Sequence, residues 1–316
     1  MKLFNLIFSI KDYGQTHRLV KIFGIRIKYP KRKFANLRAE NPYYYYKKNN
    51  IDIKTIPPAT GQIRNIQLAN LALLKELDYV CKENNLQYWL DGGTLLGAIR
   101  HKGFIPWDDD IDVAMLRDDY EKIIDAFKKS SRNPDIFADY VLSARGHAQC
   151  IIKVQHKKCP HLFVDIFPWD KYGIRLSKEE QLKKTLYLKT LRADLQKICV
   201  PKMSREDVLS KISSYMAEKV LTNKVIDEKG DYVWGLDFSH QWKNWFTHYE
   251  VLNPLKTIEF EGMEFPCLNN PDAFLSRLYG NYMAYPNKIG TGHSMFLDLS
   301  EEEKQAIEVL KSSKEE

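Results

Sequence analysis

Between Tyr88 and Met115 the chain reads YWLDGGTLLGAIRHKGFIPWDDDIDVAM: a short apolar run, a Gly-Gly pair, helix formers, an acidic cluster and a second apolar run. Few architectures accept that order. Gln87 to Leu90 predicts a strand, and Asp91-Gly92-Gly93-Thr94 breaks it where the backbone needs positive φ or close approach to another group. Thr94 is expected to cap a helical segment from Leu95 to Arg100. A strand, a glycine turn and a helix start leave backbone N–H groups free to hold a phosphate.

The acidic half narrows the chemistry. If Asp110 to Met115 is a strand, the side chains of Asp110 and Asp112 leave one face roughly 7 Å apart, while Ile111 and Val113 face a core. Such a pair can grip one cation, and hard oxygen donors suit Mg²⁺ or Mn²⁺. A solvated turn is the alternative for three aspartates taken alone. An EF-hand loop is disfavoured, since its Gly and Glu positions fall on Val113 and Asp119. The glycine turn one short helix earlier favours a metal-dependent nucleotide or phosphoryl-transfer site.

The segment GGTLLGAIRHKGFIPWDDDIDV resembles the signature of the LicD family, and LFVDIFPWD (Leu162 to Asp170) and FEGMEFPCLNNPDAFLSRLYGNYMAYP (Phe260 to Pro286) resemble that family's later motifs, in the same order. The likeness runs from residue 63 to residue 293. It implies an α+β fold with a nucleotidyltransferase-like mixed β-sheet, flanking helices and an added helical region. The implied reaction moves a phospho-substituent, such as phosphocholine, from a CDP-linked donor to a hydroxyl of a surface glycan of lipopolysaccharide, capsule or teichoic-acid type, lipid-linked or free. Two alternatives stay open: a nucleotidyltransferase that leaves the nucleotide on its acceptor, and a non-catalytic, cation-binding glycan adaptor.

The resemblance also assigns roles. Asp110 and Asp112 hold Mg²⁺, and Asp165 completes the set as third ligand or as base for the acceptor hydroxyl. Gly92, Gly93 and Thr94 face the donor phosphates. Read from its neighbours alone, Asp165 is an acid among Phe163, Val164, Ile166 and Phe167, so a structural carboxylate paired with an Arg is the other reading. Arg100, His101 and Lys102, with Lys153, are either the cations that meet those phosphates or surface charge.

Charge divides the chain. Residues 1–60 carry thirteen Lys and Arg against three Asp and Glu, an excess of ten; with +7 overall, the remainder is net −3. Within the arm Phe4, Ile7, Phe8, Val20, Ile22 and Ile25 interleave with Lys11, Arg18, Lys21, Arg26 and Lys28. That mixture suits either an anionic membrane surface or an arm packed on the domain with its lysines in water. Nucleic acid is not expected, because no recognised binding module follows. The opening run is too short to span a bilayer and unlike a secretory signal. We therefore read residues 1–60 as a basic amphipathic arm and linker, 61–300 as the catalytic domain and 301–316 as a charged helical tail.

Further signals place elements. Apolar residues at three-to-four spacing from Ile63 to Val80 predict a helix ended by Asn84-Asn85. Arg117 to Ser130 predicts another, and Ser177 with Glu180 predicts a capping box opening a helix to Cys199. Strands are expected at Asp139 to Ser143, Ile151 to Gln155 and Leu162 to Phe167, the last broken by Pro168. Helices are expected from Ser204 to Leu221 and from Pro271 to Gly280, with a hairpin turning at Glu261-Gly262 between them. Five scattered cysteines without a CxxC pair support neither zinc nor a disulfide framework and suggest the cytoplasm.

Overall fold

The computed structural model describes residues 8–13, 17–22, 25–30, 42–142, 150–198, 203–204, 206–208, 210–211, 214, 228–235, 246–289 and 298–312. The chain forms two compact units, Met1–Ile53 and Lys54–Glu316. The predicted helix from Ser204 lies mostly outside the described residues, as do Cys199 and His293.

The first unit holds an antiparallel meander, β1 (Phe8–Tyr13), β2 (His17–Ile22) and β3 (Ile25–Pro30), and the helix α1 (Pro42–Lys48). The register aligns Phe8 with Ile22, Ile22 with Ile25, Ile10 with Val20 and Val20 with Ile27.

The second unit is α+β. It comprises α2 (Gly61–Glu83), β4 (Trp89–Leu90), α3 (Gly92–His101), β5 (Ile111–Leu116), α4 (Arg117–Tyr120), α5 (Ile123–Ser130), β6 (Ile136–Leu142), β7 (Cys150–His156), β8 (Cys159–Lys171) and α6 (Lys178–Ile198). There follow β9 (Tyr232–Trp234), β10 (Phe246–Thr247), α7 (Tyr249–Leu252), the hairpin β11 (Lys256–Phe260) and β12 (Met263–Cys267), α8 (Pro271–Tyr279) and α9 (Glu301–Ser312). Among the described residues no helix is long and apolar enough to cross a membrane.

The sheet runs β10-β9-β8-β5-β4, with β7 beside the first half of β8 and β6 beyond it. β5 and β8 are parallel, and the remaining neighbours are antiparallel. One face of this mixed sheet is covered by α2, whose Ile66, Leu73, Leu77 and Val80 are fully buried, as their spacing predicts. Each such side chain contributes roughly 1.5–3 kcal/mol by leaving water.

Several boundaries differ from expectation. Pro168 does not end β8: it falls between the β7 and β9 pairings, where its missing N–H forfeits no ladder bond, and its carbonyl accepts from Gly235 N at 2.8 Å. The helix expected from Arg117 to Ser130 is two pieces, because Glu121 and Lys122 close one turn before Ile123 opens the next. β6 starts earlier, at Ile136, since the Asp135 turn is tied to β7 through Lys157 N. The strand before the glycines is only Trp89–Leu90, and β5 begins at Ile111, not Asp110.

Other signals hold. Ser177 and Glu180 cap α6 reciprocally, at 3.3 and 2.8 Å. Glu261 and Gly262 both take positive φ at the hairpin turn. Asn270 caps α8 through Ala273 N, and Gly280 ends it.

Candidate active site

The glycine pair opens α3, and the cap is Asp91, not Thr94. Asp91 is extended and accepts from Gly92 N at 2.8 Å, so the helix starts three residues before the position the sequence suggests. Thr94 is diverted by a tertiary contact: buried, it accepts Asp112 N on its Oγ1 at 2.8 Å. That bond and the one from Asp91 N to Asp112 O, 3.0 Å, fasten the helix start to β5.

The glycines admit carboxylates. Gly92 has φ +50°, and a Cβ there would lie 2.6 Å from Asp112 Oδ2. A Cβ on Gly93 would lie 3.1 Å from Asp108 Oδ2 and 3.7 Å from Asp112 Oδ2. Gly93 N donates to Asp112 Oδ2 at 3.2 Å. Asp108 and Asp112 thus press on one stretch of bare backbone, which only a side chain no larger than hydrogen allows.

Two buried polar residues of α2 hold the acidic run from behind. Gln67 donates to Asp108 O and Asn70 to Asp109 O, each at 2.7 Å, while Asn70 Oδ1 accepts Phe163 N of β8 at 3.0 Å. Arg64 braces Gln67 and pairs with Glu261 of the hairpin turn, which in turn accepts Phe104 N. Asp108, Asp109 and Asp110 offer oxygens within 4.8 Å of one another. The third motif thereby reaches the first through Glu261.

Across the sheet the register pairs Asp112 with Asp165, and Asp165 with Lys153. Lys153 Nζ lies 2.6 Å from Asp165 Oδ1 and over the Phe163 ring at 3.6 Å. Two residues expected at the site are therefore engaged with each other, and the partner of Asp165 is a lysine, not an arginine. The other expected cations have protein partners of their own. Arg100 is buried, donates to Tyr282 O at 3.0 Å and to His101 Nε2 at 2.9 Å, and lies over Trp107. Lys102 caps α3 in the left-handed region and reaches Glu259 at 2.9 Å on the surface.

Other contributors were not read from the sequence. Trp169 donates its indole N–H to Asp91 Oδ2 at 3.4 Å, and Asp170 takes Arg117 bidentately at 2.8 and 3.0 Å. These contacts explain the WD at the end of the second motif. Tyr279, from α8, borders the cluster: burial and the carboxylates of Asp112, Asp91, Asp108 and Asp110 push its phenol well up. Buried Gln67 and Asn70 within an apolar stripe were the one visible signal. A groove of about 1000 Å³ between α2, β12 and α9 has none of these carboxylates in its lining.

The electrostatics favour a cation. Burial, then Asp110, holds the Asp108 carboxyl well above the usual range, and burial with Asp110, Asp165 and Asp91 does the same for Asp112. Burial also raises Asp91 to about 6, against the bonds from Gly92 and Trp169. A carboxyl whose folded pKa exceeds its unfolded value keeps a proton that the unfolded chain surrenders, so stability falls as pH rises between the two values. For Asp91 alone that loss is on the order of 3 kcal/mol between pH 4 and 6. We expect thermal melts in EDTA to show it, and the Asp91→Asn variant to lose less stability over the same interval.

Residues 85–199 match the family model described as "LicD/FKTN/FKRP, nucleotidyltransferase domain". The chain is 32% identical over 250 residues, 71% of its own length and 92% of the relative's, to the lipopolysaccharide cholinephosphotransferase LicD of Haemophilus influenzae. It is 32% identical over 96 residues, 28% of its length, to the human ribitol 5-phosphate transferase FKRP, covering 18% of that protein. The mouse FKRP aligns to the same extent.

Proposed function

Because the chain belongs to the LicD family, we propose that this enzyme transfers a phospho-substituent, such as phosphocholine, from a CDP-linked donor to a hydroxyl of a cell-surface glycan and releases CMP. The observation that supports this reading best is the convergence of carboxylates from three segments, Asp91, Asp108 to Asp112 and Asp165, on the opening turn of α3. So many acids share so small a space at the cost of mutual repulsion, which a divalent cation offsets.

The donor set fits Mg²⁺ or Mn²⁺. All the candidate ligands are carboxylate oxygens on anchored backbone: Asp108 and Asp110 lie, with Asp109, within 4.8 Å of one another, and Asp112 is the register partner of Asp165. We assign Asp110 and Asp112 as ligands, with Asp108 beside them and Asp165 completing the set. Bound there, the ion would neutralise charge on the donor's phosphates.

The chain's own groups supply positioning. Gly93 N orients Asp112, Gln67 and Asn70 fix the acidic run, and Lys153 keeps Asp165 directed along its strand pair. Asp165, where it is not a ligand, would take the proton from the acceptor hydroxyl. Arg100 braces the loop ahead of the acids through Tyr282 and Trp107.

The test is product analysis. The purified protein is incubated with a panel of CDP-linked donors and a crude lipid-linked glycan fraction. Free CMP appearing only with acceptor, and head group recovered on the glycan, is the expected result. Nucleotide found on the acceptor would instead identify a nucleotidyltransferase.

A further inference from the structure

A second polar centre lies beside α8, whose Ser276 and Arg277 line it. Asp231, just before β9, is fully buried, and its carboxylate is saturated by donors: His248 Nδ1 at 2.6 Å on Oδ1, and Leu176 N at 3.0 Å with Gln181 Nε2 at 2.7 Å on Oδ2. The bond between Nδ1 and that carboxylate orients the imidazole ring, with Nδ1 turned to the acid. The Nε2 edge of His248 is then the one left for a ligand. The side chain is about one-third exposed and lines a cavity of about 540 Å³.

The other walls of that cavity carry donors. Lys178 stands at the start of α6, Ser276 and Arg277 come from α8, and Leu182 adds an apolar side. Arg277 Nη2 donates to Gln181 Oε1, so the guanidinium reaches through one glutamine the same buried acid that His248 bonds directly. Among the described residues lining the cavity there is no acid. A guanidinium held by Gln181 and an ammonium at the rim, on a wall without an acid, recognise an oxyanion.

We propose that this cavity is a subsite for an anionic group, a carboxylate or a phosphate, carried by a sugar of the acceptor. The inference rests on the glycan-acceptor reading above. The volume suits one sugar unit with its charged substituent. Its place fits as well: Arg277 precedes Tyr279 by two residues, so one short helix connects the cavity to the aspartates. Binding energy gained at a remote charged sugar would orient the hydroxyl that reacts. Asp231 and Gln181 are positioning residues; Arg277 and Lys178 donate to the anion, and His248 Nε2 accepts from a hydroxyl of the same sugar.

Calorimetric titration of the full chain in EDTA, without nucleotide donor, tests the idea with glucose 6-phosphate, glucuronate and glucose as probes. We expect saturable binding of one or both anions and none of glucose; which anion binds identifies the group. His248→Gln and Lys178→Ala should each weaken it by roughly tenfold or more. Lys178 is exposed, so its variant stays folded and keeps the test decisive if His248→Gln does not fold. Equal binding of glucose, no binding of either anion, or unchanged affinity in both variants would overturn the subsite. Because the titration involves no transfer, a protein that binds the anion but releases no CMP would refute the proposed reaction and leave the subsite standing.

Discussion

Asp112→Asn is expected to reduce acceptor-dependent CMP release by at least about a thousandfold while leaving the metal-free protein as stable as before or more so. Asparagine keeps the shape of the side chain and an oxygen for Gly93 N, which now lies 3.2 Å from Oδ2. What it removes is charge. In the metal-free protein that charge is unfavourable, because burial and the neighbouring Asp110, Asp165 and Asp91 hold the carboxyl well above its ordinary pKa. In the working enzyme the same charge binds the cation. A structural role predicts that activity and stability fall together; the proposed role predicts that they part. Steady-state kinetics with Mg²⁺ and melts in EDTA, on the same preparations, decide between them.

Gly92→Ala is the second large effect, and it acts through geometry. At φ +50° any side chain is strained by roughly 1–2 kcal/mol, and the new Cβ meets Asp112 Oδ2 at 2.6 Å. The carboxylate has to move, and a displacement near 1 Å at a reacting centre costs about a hundredfold in rate. Transfer should fall by that order, with a modest loss of stability. Gly61→Ala is the matched control: its φ is +64°, yet nothing lies within 4 Å of the added carbon. It should reproduce the strain and spare the activity.

Local chemistry was legible in the chain wherever it decided the outcome locally. The burial of Ile111 and Val113 beside half-exposed Asp112, the core face of α2, the Ser177–Glu180 capping box and the Glu261-Gly262 turn all follow from periodicity or turn preference. Where a distant partner intervened, local reading failed. Thr94 is a good N-cap by type, but Asp112 N, eighteen residues on, claims its hydroxyl, and Asp91 caps instead. Asp108 alternates with Asp110 and Asp112 in the sequence, but it lies outside the strand, which begins at Ile111, and only the fold brings it against Gly93. Asn70 and Gln67, which hold that run outside the strand, belong to a helix nearly forty residues before it.

The same distinction governs the charges. By type and position Lys153 and Arg100 read as either phosphate-facing cations or surface charge, and each has a protein partner that only the fold supplies: Asp165 across β8, and the carbonyl of Tyr282. Pro168 looked like a strand end because the sequence does not show that β8 changes partners there. Asp231 and His248 lie seventeen residues apart with no motif between them, so their pairing emerges only from the fold.

The central claim, that the carboxylates around Gly92 and Gly93 form a divalent-cation site that transfer depends on, is tested most directly by paramagnetic titration of Mn²⁺, followed by the free-ion signal. The account predicts saturable binding to the native protein, binding lost or greatly weakened in Asp110→Asn and Asp112→Asn, and CMP release that tracks occupancy. Unchanged Mn²⁺ affinity in both variants, or undiminished transfer in excess EDTA, would contradict it.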